Sequence, residues 1–170
     1  MTVHLTIGSP LGDLLLVGEE SPPADGGFAL ASVSMTGQEN AAVVQPGWEH
    51  APEAFADVVR QLGEYFDGGR EEFELAYTTR GTAFQERVWT ALDDIPYGTT
   101  TTYGRLAERL GVPRGEVRAL GAAIGANPLL VVRPCHRVIG ADGGMRGYAG
   151  GVERKHHLLT HEGALQPQLL

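Results

Sequence analysis

The sequence predicts an α/β protein in two parts: a small N-terminal sheet with helices, then a mainly helical C-terminal module containing a helix-turn-helix. Three observations carry this reading. The first half alternates and turns as strands do. From Thr82 onward, apolar residues recur at helical spacing between caps and glycine stops. Charge divides at the same place, with two cations against thirteen carboxylates in residues 1–79 and eleven against eight in residues 80–170. The module boundary is expected near residues 78–81, giving domains 1–79 and 80–170.

In the first half, Val3-His4-Leu5-Thr6-Ile7 and Asp13-Leu14-Leu15-Leu16-Val17 flank the turn Gly8-Ser9-Pro10-Leu11-Gly12, which reads as a hairpin. A loop is expected at 21–27, a strand over Phe28–Met35 and a further strand over 72–77. Between them, Phe55, Val58, Val59, Leu62 and Phe66 define the apolar stripe of a helix that Gly68-Gly69 stops.

In the second half, Thr82-Ala83-Phe84-Gln85 is a capping-box pattern opening a helix through Val88, Trp89 and Leu92. Thr102 caps a second helix over Tyr103–Leu110, which Gly111 ends. A third helix over 115–126 follows after a short glycine-containing turn, so the pair forms a helix-turn-helix. A last helix is expected over 152–162. The third helix turns Val117, Leu120 and Ile124 to the core. Its other face carries Arg118 among Gly115, Ala119, Ala122, Gly125 and Ala126. Small residues in that pattern suit tight helix packing, or close approach to a narrow minor groove with one arginine inserted. A helix reading major-groove base edges would present several polar side chains.

At 42% apolar and 20% charged residues, the 170-residue chain has an ordinary soluble composition. No basic N-terminal region precedes a long apolar run and no segment approaches a membrane span, so a cytoplasmic protein without membrane contact is expected. One cysteine fits a reducing compartment. The histidines at 4, 50, 136, 156, 157 and 161 form no ligand cluster with it, so no metal is expected. His157 and His161 share a helical face and are read as surface residues.

The lone cysteine, Cys135, lies in Pro134-Cys135-His136-Arg137-Val138 after the apolar run Leu129-Leu130-Val131-Val132. An adjacent imidazole and the flanking cations Arg133 and Arg137 favour a thiolate, the nucleophilic form. The alternative is a small buried hydrophobe.

These residues resemble a known family. Phe84-Gln85-Glu86-Arg87-Val88-Trp89, Ile95-Pro96-Tyr97-Gly98, Thr102-Tyr103-Gly104-Arg105-Leu106-Ala107, Arg118-Ala119-Leu120-Gly121, Asn127-Pro128, Pro134-Cys135-His136-Arg137-Val138-Ile139 and Gly147-Tyr148-Ala149-Gly150-Gly151 occur in the order seen in the O6-alkylguanine-DNA alkyltransferases. The resemblance covers residues 80–163; the first half resembles the family only through the Ser9-Pro10-Leu11-Gly12 hairpin and its layout. It implies a ribonuclease-H-like first half, no cofactor, and a single-use transfer of an alkyl group from O6-alkylguanine, and O4-alkylthymine, in double-stranded DNA to Cys135. It further implies His136 as the base acting through a water, Glu162 as its orienter, and Tyr103 as an aid to nucleotide rotation and a proton donor. Arg118 becomes the finger that fills the gap left by the extruded base, within a DNA-binding surface of Tyr103, Gly115, Ala119, Ala122 and Ala126. Asn127, Val138, Met145, Tyr148 and Ala149 belong to the substrate pocket, Asn127 also as a hinge. From the residues alone, Tyr103 reads equally as a core tyrosine and Asn127-Pro128 as an ordinary turn.

Departures from the family pattern bear on scope. Ala149 stands where serine is common, and a backbone amide there still serves. Met145 and Arg146 replace smaller residues and are expected to narrow tolerance for large O6 substituents. The first half lacks the cysteines that bind zinc or accept a second methyl group in some relatives, which restricts the expected role to direct repair. The protein is expected to be a monomer, with cooperative assembly on DNA left open. A non-catalytic lesion-binding relative and a helix-turn-helix regulator are the competing readings. The intact cysteine counts against the first, and the bare recognition face against the second.

Overall fold

A computed structural model describes residues 1–20 and 27–165. These form two compact units, Met1–Thr79 and Arg80–Leu170. The loop expected at 21–27 falls, except for Gly27, outside the described residues.

The first unit holds, among the described residues, one α-helix and a four-stranded sheet of spatial order β3 (Phe28–Met35), β2 (Leu14–Glu20), β1 (Thr2–Ile7), β4 (Glu49–His50). Strands β1 (Thr2–Ile7) and β2 (Leu14–Glu20) form the expected hairpin, and β3 (Phe28–Met35) pairs antiparallel with β2. Its register shifts at Val17/Gly18, where a side chain on Gly18 would overlap the Phe28 ring. The glycine is thus needed for close approach. The two-residue β4 (Glu49–His50) runs parallel to β1 and is too short to show periodicity. Helix α1 (Ala56–Phe66) buries Val58, Leu62 and Tyr65, with Phe55 at its N-cap also buried. The expected stripe is corrected at one position, since Val59 is exposed and Tyr65 takes the core place.

The strand expected over 72–77 is not formed. The buried Gln61 amide captures the Glu74 backbone, its Oε1 accepting from the amide at 2.8 Å and its Nε2 donating to the carbonyl at 3.1 Å. With both groups taken, the segment meets the sheet at an isolated parallel bridge between Leu30 and Tyr77.

The second unit contains α2 (Ala83–Leu92), β5 (Thr101–Thr102), α3 (Tyr103–Leu110), α4 (Val117–Gly125), β6 (Val138–Ile139) and α5 (Val152–His161). Thr82 and Gln85 complete the predicted capping box on α2. Thr102 caps α3 by accepting from the Arg105 amide at 3.1 Å, and Gly111 ends it at φ 70°, where a left-handed backbone favours glycine. Helix α4 begins later than expected because residues 114–116 form a tighter turn. Trp89 of α2 is buried and donates its indole N–H to the Ala123 carbonyl of α4 at 2.8 Å. Leu120, Ala123 and Ile124 also fill this core, while Val117 is half-buried.

Candidate active site and DNA-facing helix

All ten residues 131–140 are buried. Two tight turns aim this segment. Val131 sits at φ 69° and the Val132 amide donates to the Leu130 carbonyl at 2.7 Å, a three-residue turn that is strained for a β-branched residue. Pro134 then bends the chain so that the Cys135 amide donates to the Arg133 carbonyl at 2.8 Å. The Asn127 side chain clasps the first bend from within. Its Oδ1 accepts from the Leu129 amide at 3.0 Å, and its Nδ2 donates to the Leu129 and Arg133 carbonyls at 3.3 and 3.1 Å.

Cys135 and His136 begin a short turn that leads into β6. The parallel pairing Thr101↔Val138 and Thr102↔Ile139 joins this turn to the start of α3. Because Tyr103 follows Thr102, the pairing brings its phenol within electrostatic range of Cys135. Burial, with the thiol second, raises the Tyr103 pKa and keeps the phenol a proton donor.

His136 is fully buried, and its Nε2 lies 2.8 Å from Glu162 Oε2 at the C-terminal end of α5. Arg137 grips the same carboxylate, with Nε donating to Oε1 at 2.8 Å and Nη2 to Oε2 at 3.0 Å. Its Nη1 donates to the Ile95 carbonyl at 2.6 Å. Burial alone would raise the Glu162 pKa, but the hydrogen bonds from His136 and Arg137 prevail and hold it near about 2. An ionised Glu162 only accepts, so His136 carries its proton on Nε2 and leaves Nδ1 as the basic nitrogen. That Nδ1 is buried without a hydrogen-bond partner among the described residues. Burial, opposed by Glu162, lowers the His136 pKa, so the imidazole is neutral.

The thiol departs from expectation. Burial pushes Cys135 up to about 11, against the opposing pull of Asn127, Lys155 and Arg133. The cations beside it in sequence are spent elsewhere: Arg133 reaches Asp93 at 3.2 Å and Arg137 holds Glu162. The resting thiol is therefore protonated, and acting as a nucleophile would require it to lose that proton.

On α4 and the turns that flank it, Gly115, Arg118, Ala119, Ala122, Gly125 and Ala126 are all exposed. A methyl group added at Gly115 or Gly125 would meet nothing within 4 Å. These small residues do not serve helix packing, and the face is a smooth surface carrying one arginine. Among the pocket candidates, the Val138 side chain is wholly buried, Met145, Tyr148 and Ala149 are half-buried, and the Tyr148 hydroxyl is buried beside the Val131 backbone. Asn127 is buried, and its side chain binds the Leu129 and Arg133 backbone and pulls on the Cys135 thiol.

Residues 83–164 match the family model of the 6-O-methylguanine DNA methyltransferase DNA-binding domain, and residues 3–78 that of its ribonuclease-like domain. The chain is 44% identical to the methylated-DNA–protein-cysteine methyltransferase of Mycolicibacterium paratuberculosis, covering 100% of this chain and 98% of that protein. It is 40% identical to that of Methanosarcina acetivorans, covering 92% and 95%. The chain belongs to the methylated-DNA–protein-cysteine methyltransferase family. Among solved structures it resembles Mycobacterium tuberculosis OGT in complex with DNA, with a TM-score of 0.84 and 43% identity over 95% of this chain and 93% of that one. The first unit accordingly has the family's ribonuclease-like fold.

Within this member of the family, two features escape sequence reasoning. Lys155, on α5, is 1% exposed, and its ammonium donates to the carbonyls of Val138, Met145 and Gly147 at 2.6, 2.5 and 3.1 Å. One signal was available: a helix with Leu158 and Leu159 on its apolar face puts residue 155 on that face too. Arg146 adopts φ 59° and lays its guanidinium across Gly140 and Gly144, where a side chain at either glycine would overlap it. Asp142 fastens it at 2.8 Å. Nothing in the spacing of residues 140–146 foretells that fold-back. Among the described residues no group of three or more His, Cys, Asp or Glu is placed to hold a metal ion, and no helix is long and apolar enough to cross a membrane.

Proposed function

We propose that this protein repairs alkylated DNA in the cytoplasm by moving the alkyl group from O6 of guanine, and from O4 of thymine, irreversibly onto Cys135. The observation that carries this reading is the buried Cys135 turn with a neutral, oriented imidazole behind it and a bare, exposed helix carrying Arg118 in the same unit. The target atom of a stacked base is out of reach, so the nucleotide leaves the duplex at a cost of about a few kcal/mol. Arg118 fills the space it vacates, entering from the minor groove, and the small residues around it allow the backbone to approach. Tyr103 assists the rotation, and Met145, Tyr148 and Ala149 line the pocket beside Cys135.

The thiol proton passes to His136 Nδ1, through a water, as Sγ attacks the alkyl carbon. The carbon–oxygen bond breaks and its electron pair goes to the guanine, which the Tyr103 hydroxyl protonates. Glu162 holds the imidazole in the required tautomer and Arg137 holds Glu162. The thioether has no leaving path, so each molecule reacts once. No cofactor takes part.

Intact mass after incubation with duplex DNA carrying O6-methylguanine tests this. The protein should gain one methyl group, and Cys135→Ser should gain none. Lesion-selective binding without a mass change would instead mark a non-catalytic lesion binder, and indifference to the lesion a helix-turn-helix regulator.

A further inference from the structure

We propose that Lys155 is the positioning residue that shapes the guanine-accepting pocket, pegging the 145–147 loop and strand β6 to helix α5 around Cys135. This rests on the alkyl-transfer reading above. An ammonium has three donors and no acceptor, and here each donor meets a different backbone carbonyl: Val138, three residues past the nucleophile, and Met145 and Gly147. The last two bracket Arg146, whose left-handed backbone is costly for a residue with a side chain. The loop is therefore held from inside by Lys155 and from outside by the Arg146–Asp142 pair. Tyr148 and Ala149 continue directly from it, so a shift of the loop shifts the pocket wall.

Lys155 forms no ion pair among the described residues. A buried ammonium is costly, and a methionine of similar length would fill the space without that penalty. The three-way peg is what offsets it. The titratable groups facing Lys155 are Cys135 and His136 on the active-site turn, both neutral at rest, and the charged group is Arg146 on the loop. Burial lowers the lysine to about 8, with Cys135 opposing and Arg146 reinforcing. A neutral amine has two donors rather than three, so the peg loosens as pH rises through that value.

Two reactions of the whole protein separate pocket shape from thiol reactivity. One is single-turnover methyl transfer from duplex DNA containing O6-methylguanine. The other is capture of Cys135 by iodoacetamide, which needs the thiol but no guanine pocket. In Lys155→Met, transfer should fall about 10- to 100-fold while capture falls at most about 3-fold, the pattern of misplaced reactants. Equal losses in both would assign Lys155 to the thiol's charge alone and overturn the proposal, as would unchanged transfer. Should the variant fail the circular-dichroism test of folding, the wild-type protein decides. Its methyl-transfer rate at saturating DNA should decline from about pH 7 to about pH 9 as the ammonium titrates, although rising pH favours the thiolate, and a transfer rate that holds or rises overturns the proposal. A wild-type protein that takes iodoacetamide but no methyl group overturns the alkyl-transfer reading, and the pocket role with it.

Discussion

At the residue scale, Cys135 is controlled by what surrounds it in space rather than in sequence. Arg133 and Arg137 flank it along the chain, yet each is committed to a carboxylate, and burial dominates the thiol. The free protein should therefore show a thiol titrating near about 11, raised by burial. The pH dependence of iodoacetamide capture measures it; a midpoint at or below the ordinary thiol value of 9.0 would contradict this environment. On the proposed mechanism transfer follows a different course, because His136 would remove the proton during the reaction. Burial lowers the imidazole below its usual 6.5, so its basic form persists on mild acidification, and the transfer rate should hold as pH falls to 6.5. Replacing the base, as in His136→Gln, should slow transfer by about 100-fold or more while leaving affinity for unmodified duplex unchanged in a fluorescence anisotropy titration.

At the scale of elements, the helix-turn-helix presents a face that is bare by composition and exposed in fact. Ala122→Glu would place a carboxylate and extra bulk on a surface suited to a phosphate-lined groove. Duplex affinity should fall about 10-fold or more, because the added carboxylate is repelled by the phosphates. Arg118→Ala should slow transfer from duplex by about 10- to 100-fold, reflecting an extrusion cost of a few kcal/mol. The loss should be smaller on a single-stranded oligonucleotide, and equal losses on both would remove Arg118 from the extrusion step. The elements legible in the sequence are those with local signals: the capping box at Thr82, the Gly111 stop, the apolar stripes of α2 and α4, the hairpin. Those missed rest on partners distant in the chain. Strands β4, β5 and β6 are two residues each and exist only through their pairing. The segment 72–77 has strand composition, but Gln61 claims its backbone. The bend at Val131 runs against the preferences of its own residue and is held by Asn127, a clasp no spacing rule reveals.

For the molecule as a whole, the site's electrostatics become a statement about acid stability. Glu162 is held near about 2 against an ordinary 4.5, so it binds protons less readily in the folded than in the unfolded chain. Its contribution is full above pH 4.5 and is lost as pH falls toward about 2, a difference of ~3 kcal/mol. His136 acts with the same sign at higher pH: its lowered pKa lets the unfolded chain take the proton first, so stability declines once pH drops below 6.5. Both groups lie in the second unit, as does buried Trp89, whereas the chain's other tryptophan, Trp48, lies in the first. In a Trp48→Phe protein, urea unfolding followed by Trp89 fluorescence should show a midpoint falling from pH 7 to pH 5 and again below pH 4.5. Glu162→Gln removes the charged partner of buried Arg137, so it should cost about 3 kcal/mol or more at pH 7 and flatten the limb below pH 4.5. Retention of the wild-type acid limb in that variant would mean that other carboxylates carry the acid sensitivity. The carboxylate that binds His136 and Arg137 would then contribute nothing to the pH dependence of the second unit's stability.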